Sequence, residues 1–217
     1  MNSEKEKRIE IFQLSEQELI RPIFNDAFDV VVIASSAGGV TALSELLAEL
    51  PSSFPSAILV VQHLSPKYVS HLDEILARKA PLPVKRAENG EQARPSTIYI
   101  APPNQHLLIA PDRTLSLTQT ELVHFLRPSA DILFKSVAES YGKRAIAVVL
   151  TGTGKDGAMG VKAIHQTGGK VIVQDPETAE FNAMPKNAIA TGSVDFILPL
   201  PEIADKLIFL VTHPSVE

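Results

Sequence analysis

The chain has 217 residues, 20 Lys+Arg against 25 Asp+Glu, a formal charge of −5 and 45% apolar positions, the balance of an ordinary globular protein rather than a disordered one. The absence of Cys excludes a disulfide framework, a thiolate nucleophile, an iron-sulfur cluster and Cys-ligated zinc. An acidic balance with no basic block argues against nucleic acid as a partner, because neutralising phosphate needs clustered Lys and Arg.

The N-terminus, MNSEKEKRIEIFQ, is charged where a signal peptide would be apolar, and no run approaches the roughly 20 apolar residues that span a bilayer. The expectation is a cytoplasmic protein without direct membrane insertion. Residues 1–28 mix charge with aperiodic apolar positions and are assigned as an N-terminal extension, with one domain over 29–217. From Val30 to Ala34 the run is apolar on both faces, as in a strand buried between helix layers. Val40, Leu43, Leu46, Leu47 and Leu50 then share a helical face that ends before Pro51. Further strand-like runs follow at Ala57 to Val61 and Ile98 to Ala101. His106 to Ala110 and Thr114 to Thr118 flank Pro111-Asp112-Arg113, which predicts a hairpin added at an edge of the sheet. A helix is predicted after Ser129, a candidate N-cap, followed by strands at Ala145 to Leu150, Val171 to Gln174 and Val194 to Leu198. Strands alternating with helices predict an α/β fold: a doubly wound, mostly parallel, Rossmann-like sheet flanked by helices, with a small antiparallel hairpin addition.

Ligands of such sheets bind beyond the carboxyl ends of the strands, so the polar residues that follow each apolar run carry the functional reading. After the first run, Ser35-Ser36-Ala37-Gly38-Gly39 places serine on a strand-to-helix turn, where it suits a nucleophile beside backbone N–H donors, or a helix cap or phosphate site. His63, after the second run, stands beside Ser36 if the two strands are neighbours, and would then act as general base; alone it reads as a histidine hydrogen-bonded at a strand end. After Leu150 comes Thr151-Gly152-Thr153-Gly154-Lys155-Asp156-Gly157, in which Asp156 could orient that imidazole. The same segment contains a literal G-x-G-x-x-G, although it falls late in the chain and puts a carboxylate where a phosphate would lie. No pair of histidines has H-x-x-x-H spacing, so no metal site is expected. No cofactor is expected either.

Together these segments resemble the catalytic domain of the chemotaxis protein-glutamate methylesterases, the CheB type. The landmarks are Ile33 to Gly39, Val61-Gln62-His63, Tyr99 to Pro102, Arg127 to Asp131, Leu150 to Gly157 and Met184-Pro185. The resemblance implies a serine hydrolase in which Ser36, rather than Ser35, is the nucleophile, His63 the base and Asp156 its partner. Its substrate would be a γ-glutamyl methyl ester on the cytoplasmic helices of methyl-accepting chemoreceptors, with glutamine deamidation as a second activity by the same steps. Ala37 stands where the family commonly has Thr, and Thr153 where it commonly has Met; both are candidates for oxyanion or substrate positioning. Arg127 is a further candidate for positioning substrate or for a structural contact, and Met184 for lining the site or for the core. The segment Gln174 to Phe181 resembles a branch fused to methyltransferase and sensory modules, which are then candidate partners. The usual member also carries a receiver domain, which 28 residues cannot form. The alternative readings are a nucleotide-binding α/β domain using both turns as phosphate cradles, and a non-catalytic receptor-binding scaffold of the same fold.

Overall fold

The computed structural model describes residues 28–64 and 70–213. Its centre is a seven-stranded sheet in the order β3-β4-β2-β1-β7-β8-β9. These strands are β1 (Val30–Ser35), β2 (Ala57–Gln62), β3 (Val84–Arg86), β4 (Ile98–Ile100), β7 (Ala145–Val149), β8 (Lys170–Gln174) and β9 (Phe196–Leu198). Every pairing among them is parallel. The expected doubly wound sheet is therefore present, with β3 as an added edge strand whose three half-buried residues are too short a run to stand out in the sequence.

Period-2 alternation divides the core. Val30, Val32 and Ala34 of β1 pack on one face with α3 (Ala130–Tyr141) and α4 (Ala158–Gln166), while Val31 and Ile33 pack on the other with α1 (Gly39–Ala48) and α6 (Leu200–Thr212). All six β1 residues are buried, and each large aliphatic side chain contributes roughly 1.5–3 kcal/mol by leaving water. The remaining helices are α2 (Leu72–Ala77) and α5 (Ala183–Ile189). Of the expected 1–28 extension, only Phe28 lies within the described residues; it is buried in the core on the α1 and α6 face.

The hairpin forms, as β5 (His106–Ile109) and β6 (Leu115–Thr118), but as a separate two-stranded sheet rather than an extension of the large one. The reason lies in what it packs against. Leu107, Ile109 and Leu115 join the α3-side core, Ser136 Oγ accepts the Ile109 N–H at 3.1 Å, and Ser140 Oγ donates to the Ile109 carbonyl at 3.1 Å. Two serines on α3 thus take the hydrogen bonds that a sheet edge would otherwise supply.

β1 connects onward to β2 on one side, and the chain later returns to place β7 on the other, so the topological switch point lies between β1 and β7. The crevice at their carboxyl ends is where an open α/β sheet binds ligands.

Candidate active site

The site is built from the turns that leave β1, β2 and β7. The register of β1 and β2 sets Ser35 opposite Gln62, which brings the next residues, Ser36 and His63, to the same rim. Gln62 fastens the two strand ends together. Its Oε1 accepts the Ser35 hydroxyl at 2.6 Å, and its Nε2 donates to the carbonyls of Ser36 at 2.7 Å and His63 at 3.0 Å. The Ser35 hydroxyl is therefore buried and engaged, whereas Ser36 is half-buried at the crevice. A Cβ on Gly39 would come 2.1 Å from Gln62 Oε1, so only glycine fits beside this clamp.

The β7 end is tied to the same turn. The Ser36 N–H donates to the Thr151 carbonyl at 3.1 Å, and Thr151 Oγ1 donates to the Ala37 carbonyl at 3.1 Å. Gln174 Oε1 accepts the Thr151 N–H at 2.9 Å. Gly152 abuts the nucleophile candidate, since a Cβ there would lie 2.8 Å from Ser36 Cβ and 2.3 Å from Met184 Sδ. Met184 is buried beneath this turn as part of the core, and Ala37 is half-buried while Thr153 is exposed.

His63 and Asp156, 93 residues apart, are joined by a 2.8 Å hydrogen bond between Nε2 and Oδ2. Asp156 accepts more than this. Ser129 Oγ donates to Oδ1 at 2.7 Å, the Ala130 N–H to Oδ2 at 2.6 Å and the Asp131 N–H to Oδ1 at 3.2 Å. Ser129 was expected to cap its own helix. Instead its hydroxyl makes no cap bond, and Asp156 caps α3 from another part of the chain. A carboxylate is the better acceptor for the positive end of a helix, and the macrodipole favours its charge. Burial by itself pushes the Asp156 carboxyl up, but the hydrogen bonds from His63, Ser129 and Ala130 outweigh it and hold the group below the ordinary carboxylate value.

An ionised Asp156 fixes the tautomer of His63: Nε2 carries the proton that it donates, so Nδ1 carries a lone pair. Nδ1 is buried and has no hydrogen-bond partner among the described residues. Nδ1 is thus the ring nitrogen left to accept a proton. No hydrogen bond joins Ser36 Oγ to His63 among the described residues. Such contacts are often long before substrate binds and tighten in the complex.

Two further residues of the site carry no functional signal in the sequence. One is Ser129, just described. The other is His106, fully buried, whose Nδ1 accepts the Ser129 N–H at 3.1 Å and whose Nε2 donates to the Glu121 carbonyl at 3.1 Å. It links the α3 N-terminus to the loop before Arg127. A buried histidine opening a hairpin gives no such signal in the chain. Arg127 donates to Asn104 Oδ1 at 2.8 and 3.0 Å and to the carbonyls of Gln119 at 2.9 Å and Thr120 at 2.7 Å, so its guanidinium is committed to shaping the cleft wall. Among the described residues no group of three or more His, Cys, Asp or Glu side chains is arranged to hold a metal, and no helix is long and apolar enough to cross a membrane.

These features define the class: a doubly wound α/β domain whose switch-point crevice holds a buried imidazole–carboxylate pair beside a serine turn. The chain matches the CheB methylesterase family over residues 31–207, and it belongs to that family. A relative in Leptospira interrogans, named a putative protein-glutamate methylesterase/protein-glutamine glutaminase, is 42% identical over 183 residues, covering 84% of this chain and 95% of the relative. The protein-glutamate methylesterase/protein-glutamine glutaminase of Thermotoga maritima is 40% identical over 185 residues, and there the chain spans only 54% of the relative's length. The crystal structure of the Thermotoga maritima CheB methylesterase catalytic domain superposes with a TM-score of 0.81 at 39% identity, covering 84% of this chain and 98% of that one.

Proposed function

We propose that this protein hydrolyses γ-glutamyl methyl esters on chemoreceptors through Ser36, His63 and Asp156. The observation that carries the reading is the His63 imidazole, held by Asp156 through Nε2 with no partner for its Nδ1 among the described residues, at the rim where the Ser36 turn ends. The Ser36 hydroxyl attacks the ester carbonyl and passes its proton to His63 Nδ1. The tetrahedral intermediate collapses, methanol leaves with that proton, and the acyl group stays on Ser36 Oγ. Water then attacks the acyl-enzyme, again giving a proton to Nδ1, and Ser36 departs as the hydroxyl when it takes the proton back. Asp156 keeps the lone pair on Nδ1 and stabilises the imidazolium formed in each half. The same steps release ammonia from a glutamine side chain, in keeping with the glutaminase activity in the relatives' names.

Backbone N–H groups of the Ala37 and Thr153 turns are the proposed oxyanion donors. The Ser36 N–H is already engaged by Thr151. Met184 acts from beneath, holding the Gly152 turn against Ser36. Arg127 acts by positioning the cleft wall that meets substrate. A nucleotide-binding role is disfavoured because the G-x-G-x-x-G turn holds a buried carboxylate where phosphate would sit.

The test is turnover of a methylated receptor fragment by wild type and Ser36→Ala, with fluorophosphonate labelling alongside. Loss of a triad nucleophile lowers turnover by about a thousandfold or more and removes the label. Turnover retained by Ser36→Ala would take Ser36 out of the mechanism, and a folded wild type that neither turns over nor labels would be the scaffold of the alternative reading.

A further inference from the structure

The loop before α3 presents an aromatic side chain that the fold does not use. Val123 and Leu126 exchange backbone hydrogen bonds of 3.1 and 2.8 Å, closing a two-residue turn with His124 and Phe125 at its tip. Both tip residues have positive φ, +51° and +65°. Turns of this kind favour Asn-Gly, because an L side chain there is strained against its own backbone. Phe125 is also 94% exposed, while no other large apolar side chain among the described residues exceeds 52%. Folding therefore gains nothing from the ring and is penalised by the backbone that carries it. Strained backbone of this kind clusters at active sites and ligand clamps.

The base of the loop is tied down. Arg127 holds the carbonyls of Gln119 and Thr120, and His106 holds that of Glu121. The turn also shares a cleft with the proposed base: His63, Leu64, Leu122, Phe125 and Pro128 border one cavity of about 220 Å³. Leu64 and Leu122 add exposed apolar surface beside the ring.

We infer that Phe125 is a specificity-determining anchor that receives an apolar side chain of the substrate polypeptide, next to the glutamyl residue being hydrolysed. The occupant follows from continuity with the His63 cleft: a polypeptide that presents a glutamyl ester to Ser36 beside His63 has this wall next to it. The inference rests on the esterase reading above. An aromatic ring contributes a large, stiff apolar face, which discriminates between substrates through the area they bury against it.

The experiment uses two glutamyl-methyl-ester peptides, identical except that leucines flank the ester in one and serines in the other. Wild type should favour the leucine peptide by about tenfold in kcat/KM, mainly through KM. Phe125→Gly should abolish that preference, and Phe125→Leu should keep most of it. Phe209→Ala, a change at an exposed aromatic on α6, should leave the preference intact. Because glycine relieves the positive φ, Phe125→Gly should also melt no lower than the parent. Three outcomes would overturn the inference: a preference surviving in Phe125→Gly, a lowered melting temperature marking the ring as a fold contact, or a concentration-dependent dimer that Phe125→Gly dissolves without changing the preference. Failure of wild type to hydrolyse either peptide would instead sink the esterase reading itself.

Discussion

His63 meets Asp156 through Nε2, at 2.8 Å, and so keeps Nδ1 as the nitrogen that can accept a proton. This relationship gives the first expectation. In Asp156→Asn the amide oxygen that takes the Ala130 N–H still accepts Nε2–H, but the negative charge that stabilises the imidazolium is gone. We expect turnover to fall by about 10⁴-fold while the protein stays folded, the scale of losing a triad carboxylate. Folded Asp156→Asn within tenfold of wild-type kcat would remove the orienting role.

His106 offers a finer test, because its two nitrogens hold different things. Asn places an oxygen near the Nδ1 position, so His106→Asn keeps the acceptor for the Ser129 N–H but loses the tie to Glu121. Gln places an N–H near the Nε2 position, so His106→Gln does the reverse. Since Ser129 and the α3 amides hold Asp156, we expect His106→Gln to lower kcat by about tenfold or more, and His106→Asn to act mainly on KM. Equal losses in both variants, on both parameters, would make His106 simply a core residue.

Asp131 carries a linkage of its own. Burial pushes its carboxyl up, the charge of Asp156 pushes it further, and the 2.7 Å bond from the Gly160 N–H opposes both without reversing them. Between the ordinary value of 3.8 and the higher folded value, the folded state binds more protons than the unfolded one. Stability from this group therefore falls as pH rises through that window, and the penalty is complete above the folded value. Asp131→Asn keeps an oxygen for Gly160 and carries no charge. Denaturant titrations should show its stability rising relative to the parent as pH increases through the window, with the variant at least as stable at neutral pH. A variant less stable by the same amount at every pH would contradict this.

Asp156 is linked in the opposite direction. Its folded value is depressed, so the stability it contributes is complete above 3.8 and is lost as pH falls through the folded value. The stability gap between the parent and Asp156→Asn should accordingly be widest near neutral pH and narrow in acid. A gap that widens in acid would show the carboxyl to be destabilised by the fold.

Gly152 is the steric counterpart. A methyl group there meets Ser36 Cβ at 2.8 Å, and although Met184 can swing its sulfur away, Ser36 is held by Thr151 and Gln62. We expect Gly152→Ala to cost about a hundredfold in kcat, the scale of an ångström displacement of a reacting group. Met184→Ala in the same chain should recover little of it. Full recovery would place the strain on Met184 alone.

The parallel strands, the helix after the first serine turn and the polar residues at the strand ends were legible in the sequence. Each depends on neighbours a few positions away: apolar runs buried on both faces, a period of 3.6, small residues where a turn must be tight. Family resemblance added the roles for Ser36, His63 and Asp156. The local pattern placed Ser129 at the N-cap position of α3 but did not show where its hydroxyl goes, to a carboxylate 27 residues away. It misled at the hairpin, because alternating apolar residues do not say whether a strand pair joins a sheet or lies on a helix.

What the chain determined by itself, then, was a set of elements and the chemistry at their ends, since these follow from short-range sterics and hydrophobic periodicity. Only the tertiary structure decided that β7 lies beside β1, and with it that Asp156 sits under the α3 N-terminus, bonds His63 through Nε2 and is joined to His106 through Ser129. Those choices rest on hydrogen bonds between segments far apart in sequence, and a buried carboxylate takes its donors from whichever helix end the strand order brings to it.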